Sequence, residues 1–581
     1  MANLSQIKRE QMIRFLEKLK EQHSDDESLI AINQIEKELT SKKYGLVWEE
    51  HEEEVDVKMQ THIPVFSEVK EREIIGNPDS EEYNFLLEGD NLHSLKLLEK
   101  THRGKIDVIY IDPPYNTGGK DFRYDDSFVD VLDGFRHSKW ISFIEKRLQI
   151  AKQLLTTGGC IFISIDDNEQ AQLKLICDDI LGAENFVANL VWAAGRKNDS
   201  KYISVSHEYM LCYAKSLDYL KREKVEWKER KQGIDDIYKE YARIKKAYGN
   251  NYEKMTIELR NWYKELPNNH PAKNHSHYNC IDENGIYFPS DISWPGGGGP
   301  KYEVLHPITQ KPVKIPNRGW VYPTKERMDE IIAQGLVHFG IDESSVPCKK
   351  TYLVDNESST PYSIFYKDGR AATKKLRNLL GVTVFQNPKD VEIIKSLLRF
   401  TTKRESTILD FFAGSGTTGQ AVLELNKEDG GNRHFILCTN NENNICEDIT
   451  YQRLKTVITG KRADGSEYSE GLLANLKYYK TDFVSKDSEE IYDDLLEHIE
   501  EMIQLQYGIK IDNKKYVIIM DDEEMDDFEK NIADYKDLQA VFINQDVLLS
   551  TSQEKILQDI NAYIIPDCYF DYELREAGEL W

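Results

Sequence analysis

An acid, two prolines and a tyrosine follow directly on an apolar run and form the most chemically specific pattern in the chain. The run is Ile106–Ile111, and the residues after it are Asp112, Pro113, Pro114 and Tyr115. A carboxylate and a proline carbonyl are two hydrogen-bond acceptors, and the exocyclic amino group of a nucleobase offers two donors. Tyr115 adds a flat face on which a base could stack. These residues could therefore hold the amino group of a base while it reacts.

A second apolar stretch, Thr407–Asp410, leads into a segment that contains glycine. The residues after it are Phe411, Phe412, Ala413, Gly414, Ser415, Gly416, Thr417 and Thr418, and a helical pattern begins near Gln420. Glycines at such a junction let the backbone approach a ligand closely, and the N-terminus of the next helix offers unpaired N–H groups. Neither Lys-Ser nor Lys-Thr follows the second glycine, so this is not a P-loop. A ligand other than a triphosphate is expected here.

The elements that must position these residues belong to an α/β sheet. The run Ile106–Ile111 is typical of a strand buried on both faces, as in the centre of a parallel sheet. Pro113 and Pro114 cannot continue a ladder of backbone hydrogen bonds, so the chain must leave the sheet there. Ligands of open α/β sheets bind beyond the carboxyl ends of the strands. We therefore expect Asp112 and Tyr115 to face a crevice at that edge.

A shorter strand pattern precedes this one and also ends near an acid. Residues 85–88 are followed by Gly89 and Asp90, and a helical pattern then runs from Leu92 to Leu98. Because this unit comes one strand before Asp112, Asp90 is expected at the lip of the same crevice. Asp90 could be a ligand-binding residue, or it could simply be the N-cap of the helix.

Both motifs resemble those of one enzyme family. Asp112-Pro113-Pro114-Tyr115 after a buried strand resembles the catalytic motif of amino-methyltransferases that act on adenine in DNA; the cytosine-N4 relatives usually carry Ser in place of the Asp. Phe412, Gly414 and Gly416 resemble the S-adenosylmethionine loop of the same enzymes. The catalytic motif precedes the cofactor motif, as in the β class. The length and both ends of the chain resemble the modification subunit of type III restriction–modification systems.

The resemblance implies a fold, a reaction and partners. The fold would be a Rossmann-like, circularly permuted methyltransferase fold of the α/β class, and the reaction would be methyl transfer from S-adenosylmethionine to adenine N6 in double-stranded DNA by base flipping. The implied partners are a second copy of the chain, as a homodimer, and a restriction (Res) subunit. Two alternatives remain open: a cytosine-N4 methyltransferase, and a DNA-binding subunit that reads sequence for a nuclease partner.

The resemblance also implies the residues of the site. The catalytic residues would be Asp112, Pro113, Pro114 and Tyr115. The cofactor-binding residues would be Asp90, Phe385, Asn387, Pro388, Lys389, Asp410, Phe411, Phe412, Gly414, Gly416, Thr417, Thr418 and Asn441. In the family, a segment like Asn387-Pro388-Lys389 lies against the methionine end of the cofactor, and Asp410 could attract its ammonium group. The acid that the family commonly uses for the ribose is missing, so Asn441 or Glu442 would replace it.

The sequence suggests five segments. These are an N-terminal helical arm (1–80), a first methyltransferase part with the catalytic motif (81–194), a target-recognition domain inserted in the fold (195–380), a second methyltransferase part with the cofactor loop (381–480), and a small C-terminal α/β assembly domain (481–581). The predicted DNA-binding residues are Arg196, Lys197, Arg370, Lys374, Lys375 and Arg377. They contact phosphates in this interpretation. A solvated helix face is the alternative, since glutamates alternate with nearby lysines.

Composition restricts the classes of protein to which the chain could belong. The formal charge of −26 does not argue against a DNA partner, because DNA responds to the local field of the binding face. We expect a cytoplasmic protein with free thiols, since there is no Cys-x-x-Cys pair and no signal-peptide pattern. No apolar run is long enough to span a membrane. His270, His275, His277 and Cys280 fit no standard zinc spacing, and methyl transfer needs no metal, so no metal site is predicted.

Overall fold

The structure, a computed structural model, describes residues 12–20, 26–40, 48, 53–118, 123–124, 127–130, 132–193, 201–366, 370–381, 385 and 387–578. It divides into two compact units. The first comprises Met1–Val225 and Ser363–Trp581, and the second comprises Glu226–Tyr362. The second unit lies within the range 195–380 that was predicted to be inserted for target recognition. The predicted segment boundaries themselves stay predictions.

An eleven-stranded sheet forms the centre of the first unit. Its strands are β1 (His62–Glu68), β2 (Ile74–Ile75), β3 (Asn84–Glu88), β4 (Ile106–Ile111), β5 (Leu155–Ile165), β6 (Phe186–Ala193), β7 (His207–Ala214), β8 (Ile364–Tyr366), β9 (Thr407–Asp410), β10 (His434–Thr439) and β11 (Asn475–Ser485). Their order in the sheet is β1-β11-β3-β10-β9-β4-β5-β7-β6-β8, with β2 paired to β11. The run from β11 to β5 is parallel throughout.

The middle strands are apolar on both faces because helices cover both faces. In β4, Val108, Ile109 and Ile111 are fully buried, as are Ile408 and Leu409 of β9. Such continuous apolar strands are expected where a parallel sheet is enclosed. The α/β class and the permuted motif order predicted from the sequence are confirmed, since β4 precedes β9 in the chain and lies beside it in the sheet.

Helices precede and connect the strands of the first unit. They are Asp26–Thr40, Glu54–Thr61, Asn91–His102, Arg136–Leu154, Gln170–Cys177, Leu217–Arg222, Arg370–Leu380, Val391–Thr401, Thr417–Asp429 and Gln452–Thr459. The helix Arg136–Leu154 shows why they form: Trp140, Ile144, Leu148 and Ala151 recur at helical spacing and are all fully buried. No helix among the described residues is long and apolar enough to cross a membrane.

The last part of the first unit carries a second, smaller sheet. Its parallel strands are Tyr516–Ile519, Ala540–Asn544 and Ala562–Ile565, and its helices are Asp522–Lys530, Thr551–Gln558 and Asp567–Ala577. The segment before this sheet folds as two helices, Ile491–Leu496 and Ile499–Tyr507. This arrangement agrees with the predicted small C-terminal α/β fold.

The second unit has its own core. Its helices are Ile234–Tyr248, Tyr252–Glu265 and Lys325–Ala333, and its four-stranded sheet contains Cys280–Asp282, Gly285–Ser290, Val337–His338 and Cys348–Tyr352. Near the first and last residues of the unit, the strand Glu229–Arg230 pairs with the strand Ser358–Ser359. Met255, Leu259 and Ile244 are fully buried inside it. The aromatic Trp320 is also fully buried and therefore belongs to the core.

Candidate active site

The two sequence motifs meet at one edge of the sheet. Strands β4 and β9 are parallel neighbours, with Ile408 opposite Val108. The backbone N–H of Thr407 donates to Asp107 across 300 residues of sequence, at 3.0 Å. Because parallel neighbours end on the same side, Asp112 and Asp410 emerge into one crevice. The catalytic and glycine motifs therefore lie at the ends of neighbouring strands.

Four polar groups converge at the catalytic motif. The hydroxyl of Tyr115 donates to Asp112 Oδ1 at 2.8 Å and lies 3.2 Å from Glu208 Oε2. The ammonium of Lys389 lies 2.6 Å from the Tyr115 hydroxyl, 2.6 Å from Glu208 Oε2 and 3.2 Å from Asp112 Oδ1. Two carboxylates, a phenol and an ammonium thus form one connected network.

The electrostatics of this network follow from its burial. Burial raises the pKa of Asp112, the Lys389 ammonium opposes the rise, and the Glu208 carboxylate adds to it. Burial alone would lower the pKa of Lys389, but Asp112 and Glu208 together raise it. The lysine is therefore held as a cation, and the pKa of Asp112 lies above its ordinary value.

Side chains that no motif indicated fix the turn after β4. Trp140 Nε1 donates to the carbonyl of Pro114 at 2.7 Å. Asn116 is buried with a φ of 58°, a left-handed conformation that asparagine tolerates. Its amide donates to Glu169 Oε1 at 2.6 Å. Sequence reasoning missed these supports, and it missed Glu208 as a member of the site; Glu208 lies at the start of an apolar strand, which gives no chemical signal.

The glycine loop adopts the conformation that its glycines permit. Gly414 and Gly416 have φ values of 49° and 74°, a region that favours glycine. Gly416 is the N-cap of the helix Thr417–Asp429. The first backbone N–H groups of this helix point out of its N-terminal end. A Cβ at Gly414 would lie 3.7 Å from the ring of Phe385. The predicted residues Phe385 and Gly414 are therefore neighbours in the structure.

Asp410 is buried behind this loop. Its Oδ2 accepts from the Thr418 hydroxyl at 2.5 Å and its Oδ1 accepts from the Phe412 N–H at 3.0 Å. Burial raises the pKa of Asp410 to about 7, although both hydrogen bonds oppose the rise, and the nearby Asp112 adds to it. A cation beside this carboxylate would offset the cost of its desolvation.

This shift predicts a pH-dependent gain of stability in Asp410→Asn. Because the pKa is higher in the folded chain, the folded state binds more protons than the unfolded state between about pH 4 and pH 7, and the free energy of unfolding falls as the pH rises through that window. Removing the charge should raise the free energy of unfolding by up to about 4 kcal/mol at pH 8 and by much less at pH 5. Thermal unfolding without ligand measures both; equal effects at the two pH values would contradict the prediction. Exposed Asp167→Asn is the control.

Asp90 is the N-cap of the helix Asn91–His102, which is one of the two roles predicted for it. Its Oδ1 accepts from the Leu92 N–H at 2.7 Å. The same oxygen also lies 3.2 Å from a guanidinium nitrogen of Arg147. The neighbouring Asn91 donates to the carbonyl of Phe411 at 2.8 Å. Capping and a place beside the glycine loop therefore coexist, and the cofactor role of Asp90 stays a prediction.

The other predicted cofactor residues lie around the same crevice or cap nearby turns. Phe412 packs against Phe143, with ring centroids 5.8 Å apart. Asn387 is exposed with a φ of 54°, and Pro388 beside it is buried. The side-chain oxygen of Asn441 accepts from two backbone N–H groups, those of Cys446 and Glu447, at 3.1 and 3.2 Å. Asn441 is thus already used in a turn, and its role toward a ribose stays a prediction.

The predicted DNA-binding residues are partly described. Lys374, Lys375 and Arg377 lie on the exposed face of the helix Arg370–Leu380, whose opposite face buries Ala372, Leu376 and Leu379. Arg196, Lys197 and the side chain of Arg370 lie outside the described residues. Three cations on one exposed helix face can contact phosphates. Within the described ranges, no group of three His, Cys, Asp or Glu side chains could hold a metal ion.

Comparison with known proteins accords with this geometry. The family model for N6 and N4 methyltransferases, described as DNA methylase, matches residues 106–452, more than half of the chain. The chain is 35% identical over 382 residues to the type III restriction-modification enzyme EcoP15I Mod subunit of Escherichia coli, covering 61% of this chain and 58% of that protein. It is 31% identical to the StyLTI Mod subunit of Salmonella typhimurium, covering 68% of this chain and 60% of that protein.

A third relative is matched over almost its whole length. The chain is 31% identical to the type II methyltransferase M.KpnI of Klebsiella pneumoniae, covering 68% of this chain and 90% of that protein. The Mod subunits, by contrast, are matched over less than two thirds of their length. The family model contains both motifs, and the structure places them at one crevice. The chain therefore belongs to the N6/N4 DNA methylase family.

Proposed function

We propose that this protein transfers a methyl group from S-adenosylmethionine to adenine N6 in double-stranded DNA, as the modification subunit of a type III restriction–modification system. The observation that supports this most directly is the juxtaposition of Asp112-Pro113-Pro114-Tyr115 with the glycine loop at neighbouring strand ends. The relatives named as type III Mod subunits support the system. Asp112, where cytosine-N4 enzymes usually carry Ser, supports adenine.

The reaction needs an amino nitrogen that can attack. The lone pair of adenine N6 is delocalised into the ring, so N6 is a poor nucleophile. Acceptors at the Asp112 carboxylate and the Pro113 carbonyl would hold both N–H groups and let the nitrogen become pyramidal. The methyl group would pass from the sulfonium sulfur of bound S-adenosylmethionine to N6, and the proton that N6 then loses would pass to the Asp112 carboxylate or to solvent water. This transfer requires no covalent intermediate with the enzyme.

The target base must leave the duplex to reach this crevice. Flipping costs a few kcal/mol, and stacking on an aromatic ring offsets part of that cost, about 1–3 kcal/mol per base. The ring of Tyr115 is half-buried, and its hydroxyl is held by Asp112. A fixed ring of this kind offers a preformed stacking surface beside the acceptors.

The residues of the glycine loop fit a cofactor of this kind. S-adenosylmethionine supplies the electrophilic methyl group when it is bound. Gly414 has a positive φ and carries no side chain into the space beside Phe385, and Asp410 is a buried carboxylate whose desolvation a cation would relieve. Phe385 lies at the rim of the same space. These features would hold the cofactor next to Asp112.

Identification of the methylated nucleoside tests the proposed function. Purified protein, labelled S-adenosylmethionine and duplex DNA of varied sequence are incubated, and the product is digested and identified by mass. N6-methyladenine is expected. N4-methylcytosine would instead show the cytosine enzyme, and specific DNA binding with no methylated nucleoside would favour a subunit that only reads sequence for a nuclease.

The exposed cations of the helix Arg370–Leu380 should contribute to DNA affinity through phosphates. Reversing Lys374, Lys375 and Arg377 to glutamate should weaken binding to every sequence about equally. It should also reduce the steepness of the salt dependence by roughly 0.9 for each phosphate contact that is lost. Titrations of labelled duplex at several salt concentrations measure both quantities.

A matched control exists for this charge reversal. Lys514, Lys536 and Lys555 are exposed lysines in the C-terminal part of the chain, and their reversal changes the net charge by the same amount. If both triple variants weaken DNA binding equally, only the overall charge matters and the helix is not the contact. The proposed homodimer and the Res subunit are tested separately, by the mass of the protein in solution and by co-purification.

A further inference from the structure

The Lys389 ammonium occupies the space in front of the catalytic carboxylate. It lies between Asp112 and Glu208, on the hydroxyl of Tyr115, at 2.6 to 3.2 Å from all three. It also lies 5.0 Å from the ring centre of Tyr115 and 5.3 Å from that of Trp192. A nitrogen that carries N–H donors is therefore already surrounded by acceptors and aromatic faces.

These surroundings match the requirements of the target amino group. An exocyclic amino nitrogen presents two N–H donors in the plane of a flat ring, and it needs acceptors for the hydrogens and aromatic faces for the ring. We propose that Lys389 is a positioning residue whose ammonium holds the place of the target amino group in the free enzyme and withdraws with Glu208 when the base enters. This inference rests on the proposed function and gives Lys389 a role other than cofactor binding.

Glu208 is the group that makes withdrawal possible. Asp112 and Glu208 lie on different strands, since Asp112 follows β4 and Glu208 lies in β7. Lys389 is closer to Glu208 than to Asp112, at 2.6 against 3.2 Å. The lysine can therefore release Asp112 and keep a charge partner. A buried cation without such a partner would be costly.

The replacement of the Lys389 ammonium by the amino group of the base also controls the charge of Asp112. In the free enzyme the ammonium opposes the rise that burial causes in the pKa of Asp112, and an ionised Asp112 is the acceptor that the reaction needs. Other charged or titratable groups that act on this cluster are Tyr110, Asp166 and Asp410. The cation is thus needed before the base arrives and is replaced by N–H donors afterwards.

The test is the pH dependence of methyl transfer by Lys389→Met. The acid limb of a pH profile is its fall toward low pH. For kcat/KM this limb reports the ionisable groups of the free enzyme, and for kcat it reports those of the enzyme–substrate complex. Without the cation, the pKa of Asp112 rises. The acid limb of kcat/KM should therefore move to higher pH by about one unit, whereas the limb of kcat should move much less. Affinity for S-adenosylmethionine, measured by calorimetry, should change by less than about twofold.

Two further variants sharpen the test. Glu208→Gln removes the like charge, so the acid limb of kcat/KM should move in the opposite direction, to lower pH. Lys395→Met is the matched control, because Lys395 is also buried and is bonded to Glu392, Glu424 and Glu428 away from this cluster. It should leave both limbs in place.

Three results would overturn the proposal: equal movement of both limbs in Lys389→Met, no movement of either limb, or a loss of cofactor affinity of tenfold or more. Equal movement would mean that Lys389 stays on Asp112 when the base is bound, and lost affinity would place it at the cofactor. Failure of the proposed function is distinguishable, because the wild-type protein would then form no N6-methyladenine in the same assay.

Discussion

Asp112→Ala is expected to abolish methyl transfer while the protein still binds both ligands. The substitution removes one of the two acceptors for the N6 protons and leaves the glycine loop unchanged. Removing a single group that stabilises a transition state commonly costs about 10²–10³-fold in rate, and Asp112 also anchors the hydroxyl of Tyr115. Transfer of labelled methyl to duplex DNA, measured beside DNA binding and cofactor binding on the same preparation, tests the expectation.

Two substitutions at the motif separate catalysis from binding. Tyr115→Ala should lower both the rate and the capture of the flipped base, since stacking is worth about 1–3 kcal/mol. Asp112→Ser imitates the cytosine motif and should be weakly active at best. Asp167→Ala, at an exposed acid just beyond the neighbouring strand β5, is the control and should keep its activity. Near-normal N6-methyladenine formation by Asp112→Ala would refute the assignment of the catalytic motif.

The second large effect is expected at Gly414. A valine there would fill the space beside Phe385, and it would have to adopt a φ of 49°, which is strained for a β-branched residue. We expect Gly414→Val to reduce affinity for S-adenosylmethionine by at least about 10²-fold, equivalent to roughly 3 kcal/mol of binding free energy. Calorimetric titration of the purified variant measures this directly.

The effect of backbone strain in Gly414→Val must be separated from the effect of filling the ligand space. Gly430 also has a positive φ, of 66°, and a Cβ there would meet nothing within 4 Å. Gly430→Val therefore carries a comparable backbone cost at the far end of the same helix, with no ligand space to fill. Unchanged cofactor affinity in a folded Gly414→Val protein would show that the loop is not the binding site. Equal losses in both variants would attribute the effect to folding.

The two predictions depend on different parts of the crevice. Asp112→Ala should spare cofactor binding. Gly414→Val should leave the network of Tyr115, Glu208 and Lys389 intact, because Gly414 has no side chain that takes part in this network. A protein in which either change removed both functions would have a crevice that folds as one cooperative element. The expected separation thus also reports how independently the ends of β4 and β9 are held.

Local sequence determined much of the site. Apolar runs such as Ile106–Ile111 indicate buried parallel strands, prolines end a strand, and glycines mark positions with positive φ, because each of these depends on short-range sterics and hydrogen bonding. The α/β class and the two motifs therefore followed from the residues and from the resemblance. The N-cap at Asp90 followed in the same way, since capping is a local interaction.

Only the tertiary structure decided which distant side chains share the crevice. Glu208 and Lys389 reach Asp112 from sequence positions far from the motif, and Trp140 and Glu169 fix its turn from other elements. Such contacts depend on strand order and register, which a periodic pattern does not specify. The raised pKa of Asp410 is likewise a result of burial in the assembled sheet. The sequence by itself determined the reacting groups, and packing determined their charge, their partners and their place relative to one another.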